Sequence, residues 1–352
     1  MDDLFSTIHD LAAERVSLME VCGTHTMAIG RFGLRSMMPP GLSLLSGPGC
    51  PVCVTPCADI DRVIAMSREP GVTVVTFGDM MRVPGSCGSL ALARASGADV
   101  RVIYSAVDAI DVAAGDPERL VVLFGVGFET TSPTVAATLT LAARRGIANL
   151  LLYPAFKLVP PAMEAICSSG ATAIDGFICP GHVSAVIGSG PYEPIASAHG
   201  TPCVIAGFEA RDIVEAVAML LGQIAQRRHE VEIQYTRAVP PEGNPRARAA
   251  LAQVLVTCDA EWRGIGPIPR SGLTLGPRFA GLDARLRIAV EAEQAAQEPE
   301  GCSCGEVMRG IIVPPECPLF GGACVPESPV GPCMVSGEGA CAAYMRYGDR
   351  AP

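Results

Sequence analysis

Short β-branched or aliphatic runs recur along the first two-thirds of the chain, at residues 16–21, 42–45, 72–77, 100–104, 120–124, 150–153, 173–178 and 204–206. They are too short for helices and nearly continuous in apolar character, the pattern of strands covered on both faces. Helical patterns separate them. Ser132 and Pro133 supply an N-cap and a first-turn proline, Val135, Leu139 and Ala142 follow at helical spacing, and Gly146 closes the segment. Ile213, Val214, Val217, Leu220, Leu221 and Ile224 form a second apolar stripe. Strands alternating with amphipathic helices predict an α/β protein with two Rossmann-like parallel-sheet domains facing a cleft, at 1–115 and 116–229. From residue 230 the pattern dissolves. Pro240-Pro241, a helix start at Asn244-Pro245, then Gly264, Gly266, Pro267 and Pro269 lead through a charged helix at 286–298 into a cysteine-rich tail, so 230–352 reads as a loop-rich third domain.

Polar, glycine-rich motifs follow five of the strands: Cys22-Gly-Thr-His25, Gly47-Pro-Gly-Cys50-Pro-Val-Cys53, Gly78-Asp79-Met-Met-Arg82, Gly127-Phe-Glu129 and Pro180-Gly-His182. Open parallel sheets bind ligands at the carboxyl ends of their strands, so these loops are expected to line the cleft.

Charge narrows the classes. The chain of 352 residues holds 26 basic against 36 acidic residues, a net −10, and its only lysine is Lys157. That balance disfavours a general nucleic-acid binder. Leu158 after the lone lysine removes the GK[ST] phosphate loop, and Thr130 stands where the Gly125-Val-Gly127 sequence needs a third glycine for a dinucleotide fingerprint. With no basic-then-apolar leader at Met1-Asp2-Asp3 and no long apolar run, the expectation is a soluble, cytoplasmic protein.

In a reducing compartment fifteen cysteines call for metal ligation, redox chemistry or core filling. Cys167, Cys179, Cys203 and Cys258 sit singly among apolar residues and read as small hydrophobes. Cys57 and Cys87 show no clear role. Cys50 and Cys53 form a CxxC in a Pro-rich turn, a spacing that suits a redox pair or two ligands of one metal. Cys22, three residues before His25 in a strand-end loop expected at the surface, pairs a thiol with an imidazole that can share a centre or tune the thiolate. Asp79, Arg82, Glu129 and His182 are candidates for orienting thiols or binding anionic ligands, against the plainer reading of satisfied loop residues. The tail runs Cys302, Cys304, Cys317, Cys324, Cys333, Cys341. Four thiolates suit a [4Fe–4S] cluster and six leave a redox pair, whereas the CxxC ligand pairs usual for zinc are missing there. Spacing alone does not say which four bind.

These motifs, with Gly331-Pro-Cys333-Met-Val-Ser-Gly-Glu-Gly-Ala-Cys341 in the tail, resemble the HypD family of [NiFe] hydrogenase maturation proteins over essentially the whole chain. The resemblance implies a scaffold, formed with a HypC-type small chaperone, on which one iron acquires two cyanides and one carbon monoxide. A HypE-type donor delivers the cyanide, and the hydrogenase large subunit is an indirect partner. It implies Cys22 as a ligand of that iron with His25 nearby, and Cys50 and Cys53 as the redox-active or iron-assisting pair. It further implies Cys302, Cys317, Cys324 and Cys341 as ligands of a [4Fe–4S] cluster, with Cys304 and Cys333 as an adjacent disulfide. Soft thiolates hold the low-spin Fe(II) that cyanide and carbon monoxide require. Two alternatives from other classes stay open: a stand-alone iron–sulfur thiol-disulfide oxidoreductase, and a zinc-stabilised binding scaffold.

Overall fold

The computed structural model describes residues 1–12, 15–86, 88–290 and 298–348. Its strands are β1 (Val16–Glu20), β2 (Leu42–Ser46), β3 (Val72–Phe77), β4 (Val100–Ile103), β5 (Leu120–Gly125) and β6 (Leu150–Pro154). They continue as β7 (Phe156–Lys157), β8 (Gly176–Pro180), β9 (Cys203–Ala206), β10 (Val231–Ile233), β11 (Leu255–Trp262) and β12 (Gly266–Leu275). All eight apolar runs of the sequence became strands.

The chain folds as two discontinuous units. Unit 1 comprises residues 1–53, 159–245 and 301–352, and unit 2 comprises 54–158 and 246–300. This differs from three consecutive domains divided at 115 and 229, and strand pairing gives the reason. The sheet of unit 1 runs β10-β9-β8-β1-β2, so β1, with β2 on its other side, pairs with a strand more than a hundred residues later. In unit 2 the order is β4-β3-β5-β6, which carries pairing across residue 115. Both sheets are wholly parallel.

The stripe read at 213–224 lies on the helix Ala210–Ala225, whose start is fixed by a reciprocal pairing of Glu209 and Asp212. Ile213, Val214, Val217 and Leu220 are fully buried with Leu18, Ile178 and Val204 of the sheet and Ile8 of the N-terminal helix. Each such side chain contributes about 1.5–3 kcal/mol by leaving water. The helix Ser132–Arg144 begins with Thr131 as its N-cap, so Ser132 is its first residue, and its hydroxyl donates to the Phe128 carbonyl at 3.3 Å. In unit 2 Val75, Leu123, Leu152, Phe156, Leu255 and Leu273 share one core.

The region after 230 holds regular structure before its cysteine-rich, loop-rich end. β11 and β12 form an antiparallel hairpin, with Leu255 opposite Leu275 and Trp262 opposite Gly266, and β7 adds a third strand. Pro267 and Pro269, read as loop punctuation, lie in the part of β12 that β7 does not reach, where a strand tolerates a missing N–H. The helix start at Asn244-Pro245 is observed as Pro245–Val254. Of the charged helix read at 286–298, only the four-residue turn Ala284–Arg287 is seen, and residues 291–297 lie outside the described residues. Among the described residues no helix is long and apolar enough to cross a membrane.

Candidate metal and thiol-redox site

In unit 1 the strand order reverses between β1 and β8, since β1 leads to β2 on one side and β8 to β9 and β10 on the other. Ligands of open sheets gather at such a reversal. Cys22 follows β1 and is the N-cap of the helix Gly23–Arg31, with φ −148° and ψ 120°. The residue is only 8% exposed, at a buried junction and not in a surface loop. Burial, reinforced by the carboxylates of Glu20 and Glu338, pushes the thiol up to about 12, although the His25 and Thr24 backbone N–H groups oppose the shift. The apo thiol therefore keeps its proton at neutral pH, and a metal must displace it.

His25 is fully buried, and its Nε2 lies 2.9 Å from the Gly207 carbonyl oxygen. A carbonyl only accepts, so Nε2 carries the hydrogen and Nδ1 the lone pair, and Nδ1 meets no partner among the described residues. Burial lowers this imidazole to about 4, which keeps it neutral. The ring packs 4.9 Å from Phe208, which also stacks on the exposed imidazole of His182 at 3.9 Å and meets Tyr235 edge-on at 5.8 Å.

Gly49 explains how the CxxC motif meets this loop. A Cβ at Gly49 would overlap the Cys22 backbone, and the Gly49 carbonyl accepts the Gly23 N–H at 2.8 Å. Just beyond, Cys50 and Cys53 are joined as a disulfide. The Cys53 sulfur lies 3.8 Å from the carbonyl oxygen of Pro332, the residue before Cys333.

The six tail cysteines gather around that turn. A Cβ on Gly331 would stand 2.5 Å from the Cys302 sulfur and 2.6 Å from that of Cys304, so only glycine admits both. Cys324 accepts the Val330 N–H at 3.4 Å. Cys333 hydrogen-bonds Cys304 and Cys341, which with burial holds its thiol well above the usual range. Cys341 is shifted the other way, because Cys304 and Cys333 donate to its sulfur, and the charges of Cys302 and Cys317 act against that shift. Cys304 and Cys333 are thus in contact, as thiols and not as a disulfide.

Unit 2 reverses its strand order between β3 and β5. Asp79 and Arg82 lie on the short turn Gly78–Arg82 after β3 and are exposed, while Glu129 after β5 is 3% exposed. Cys57 opens the helix Cys57–Arg68, and burial pushes its thiol up to about 12. Its sulfur lies 3.5 Å from Glu298, the carboxylate that pairs with buried Arg263 at 2.7 Å. Cys87 falls outside the described residues.

A family model described as HypD, hydrogenase formation hypA family, matches residues 1–348. The chain belongs to the HypD family. The hydrogenase maturation factor HypD2 of Bradyrhizobium diazoefficiens is 46% identical over 338 residues, which cover 94% of this chain and 89% of that protein. HypD of Rhodobacter capsulatus is 47% identical over 341 residues, covering 96% and 90%. HypD of Escherichia coli is 45% identical over 337 residues, covering 95% and 90%.

Of the residues singled out in this HypD-family sequence, Cys22, His25, Cys50, Cys53, His182 and the tail cysteines belong to unit 1, and Asp79, Arg82 and Glu129 to unit 2. Among the described residues no three His, Cys, Asp or Glu side chains stand ready as ligands of a single ion. The tail donor set nonetheless fits an iron–sulfur cluster in kind, with six cysteines around one glycine-centred turn and a backbone N–H on one sulfur. Sequence reasoning missed Glu20, 1% exposed, whose Oε2 accepts the Cys22 N–H at 2.9 Å. Burial raises its carboxyl to about 7 against hydrogen bonds from Thr26, Cys22 and Ser46. The signal was a glutamate inside the apolar run 16–21. It missed Glu338 as well, whose carboxylate accepts the Thr24 hydroxyl at 3.1 Å and brings the tail against the Cys22 helix.

Proposed function

We propose that this protein serves [NiFe] hydrogenase maturation as a cytoplasmic scaffold, on which one iron acquires two cyanides and one carbon monoxide. It works with a HypC-type small chaperone and accepts cyanide from a HypE-type donor. One observation supports this above the others: the loops that carry Cys22, the Cys50–Cys53 disulfide and the tail thiols abut in turn within unit 1, through the Gly49 backbone and the Pro332 carbonyl. Cys22 holds the iron, and a partner's cysteine completes the coordination, so that separating the two proteins releases the cargo. His25 offers its Nδ1 lone pair beside that site. Cys50 and Cys53 exchange between dithiol and disulfide, as do Cys304 and Cys333.

Cys302, Cys317, Cys324 and Cys341 would hold a [4Fe–4S] cluster, which when bound supplies single electrons to neighbouring thiols. Asp79, Arg82 and Glu129 orient or bind anionic groups, and His182 does so in unit 1. The second reading, a stand-alone iron–sulfur thiol-disulfide oxidoreductase, draws on the same disulfide beside the tail thiols but needs no Cys22.

Anaerobic co-purification with the HypC-type partner, read by infrared spectroscopy and iron analysis, tests the proposal. Cyanide and carbon monoxide bands are expected for the wild type and none for Cys22→Ala, with tail iron retained. Bands that persist in Cys22→Ala remove Cys22 from the iron. Tail iron without bands in the wild type favours the oxidoreductase, and stoichiometric zinc without iron favours a zinc-stabilised scaffold.

A further inference from the structure

We propose that Glu20 is a positioning residue for Cys22, and that Ser46, Arg35 and Tyr344 extend its hold to the helix that carries Cys341. The consequence for iron rests on the role given to Cys22 above; the geometry does not.

Glu20 ends β1 in an otherwise apolar run, and a carboxylate buried there must be satisfied by donors. Its Oε2 accepts the Cys22 N–H at 2.9 Å, its Oε1 accepts the Thr26 hydroxyl at 2.5 Å, and the Ser46 hydroxyl also donates to it. Ser46 lies directly opposite on β2, and its oxygen accepts from Arg35 Nη2 at 3.2 Å. Arg35 also donates to the Leu44 carbonyl at 3.3 Å, and its guanidinium stands 4.3 Å over the ring of Tyr344. Tyr344 sits one turn after Cys341 on the helix Ala340–Tyr347.

The start of the Cys22 helix shows what this achieves. The first N–H groups of a helix have no partner within it. Here the Cys22 N–H goes to Glu20, the Gly23 N–H goes to the Gly49 carbonyl, and the Thr24 and His25 N–H groups face the Cys22 sulfur. With the backbone tied on both sides, the sulfur is the group left to meet a metal. A carboxylate offers acceptors alone, so three donors can converge on it. Glutamine keeps one acceptor oxygen and puts an NH2 group in place of the other, so a hydroxyl must turn to accept from it and the charge that strengthens these bonds is lost.

The test measures iodoacetamide labelling of Cys22 in the reduced, full-length protein by peptide mass spectrometry. Cys179 and Cys203, fully buried on β8 and β9, report any opening of the whole unit. E20Q is expected to raise Cys22 labelling at least about tenfold, the factor for losing one charge-assisted hydrogen bond, while Cys179 and Cys203 stay protected. T26V should raise it less, T26S should keep the wild-type rate, and Y344L should give a smaller rise from its greater distance. Wild-type labelling in both E20Q and T26V overturns the proposal. If E20Q also exposes Cys179 and Cys203, T26V against T26S decides, with equal rates overturning it. In the complex with the HypC-type partner, E20Q should shift or broaden the carbon monoxide band, and an unchanged band overturns the link to the iron. Missing bands in the wild type would sink the functional reading, and labelling alone would then decide the positioning.

Discussion

The two parallel sheets each reverse their strand order once, and the reversal points carry different chemistry. At β1 and β8 in unit 1 the loops supply Cys22, His25 and His182, with Cys50 and Cys53 after β2. At β3 and β5 in unit 2 they supply Asp79, Arg82 and Glu129. The first set is cysteine and imidazole, and buried Cys22 and His25 prefer their neutral forms, Cys22 with its proton and His25 without one. The second set consists of acids and a guanidinium. One architecture thus carries a thiol–imidazole set at one reversal and a charged set at the other, so the side chains at the strand ends and not the fold decide what each can bind.

The largest effect that tests this contrast is metal uptake. Anaerobic Fe(II) titration of the complex with the HypC-type partner should show the cargo iron lost in Cys22→Ser. The triple change Asp79→Asn, Arg82→Gln and Glu129→Gln in unit 2 should leave that iron bound and lower only the yield of cyanide-loaded complex. Equal loss of iron in both variants would break the contrast.

Within unit 1 the tail sharpens it next. Cys341→Ala should abolish the iron and acid-labile sulfide of the purified protein, whereas Cys304→Ala should leave both near the wild-type level and stop maturation. Loss of iron in Cys304→Ala would move that residue into the ligand set, where its contacts with Cys333 and Cys341 make it the obvious substitute.

The strands and the chemistry-bearing loops were legible in the sequence because both depend on local pattern. Runs such as 72–77 and 120–124 are β-branched, aliphatic or aromatic throughout, and a glycine marks the turn after each. Unit membership was not legible. It depends on β1 pairing with β8, a contact between segments far apart in the chain, and no local signal encodes it. The β11–β12 hairpin was hidden by Gly264, which makes its turn, and by Gly266, Pro267 and Pro269, which are loop residues by composition and strand residues only because that stretch of edge is open. Cys22, His25 and the CxxC were found from residue type and spacing. Glu20 was passed over because its meaning lies in burial and in three donors that only the fold brings to it.

A smaller effect separates the units by how they bury charge. Unit 2 keeps Arg263, 3% exposed, against one half-exposed carboxylate, Glu298. Glu298→Ala leaves a buried cation without that partner and should lower stability by about 1–3 kcal/mol, the half-exposed partner placing it below a fully buried pair. A urea midpoint for Glu298→Ala equal to that of the wild type would show that this ion pair contributes nothing.

The smallest effect concerns pH and two buried groups, Glu20 at the end of β1 and His25 on the helix that follows. The Glu20 carboxyl is raised from 4.5 to about 7. The folded protein holds its proton where the unfolded chain has lost it, so this contribution is present below about pH 4.5 and is lost as pH rises through 7. His25 is lowered from 6.5 to about 4. The unfolded chain takes up a proton where the folded protein refuses one, so stability is full above about pH 6.5 and is lost as pH falls toward 4. Each shift corresponds to about 3 kcal/mol. Between about pH 4.5 and 6.5 the two slopes are equal and opposite, because folding binds a proton at Glu20 and releases one at His25. For these two groups the apo protein should therefore show a flat stability profile across that window, measured by urea midpoints. Glu20→Gln unmasks the histidine, and stability should then rise with pH from 4 to 6.5. His25→Gln unmasks the glutamate, and stability should fall with pH from 4.5 to 7. Profiles of the same slope in both variants would show that the two groups do not titrate in opposition, and that the neutrality of the unit 1 site has another source.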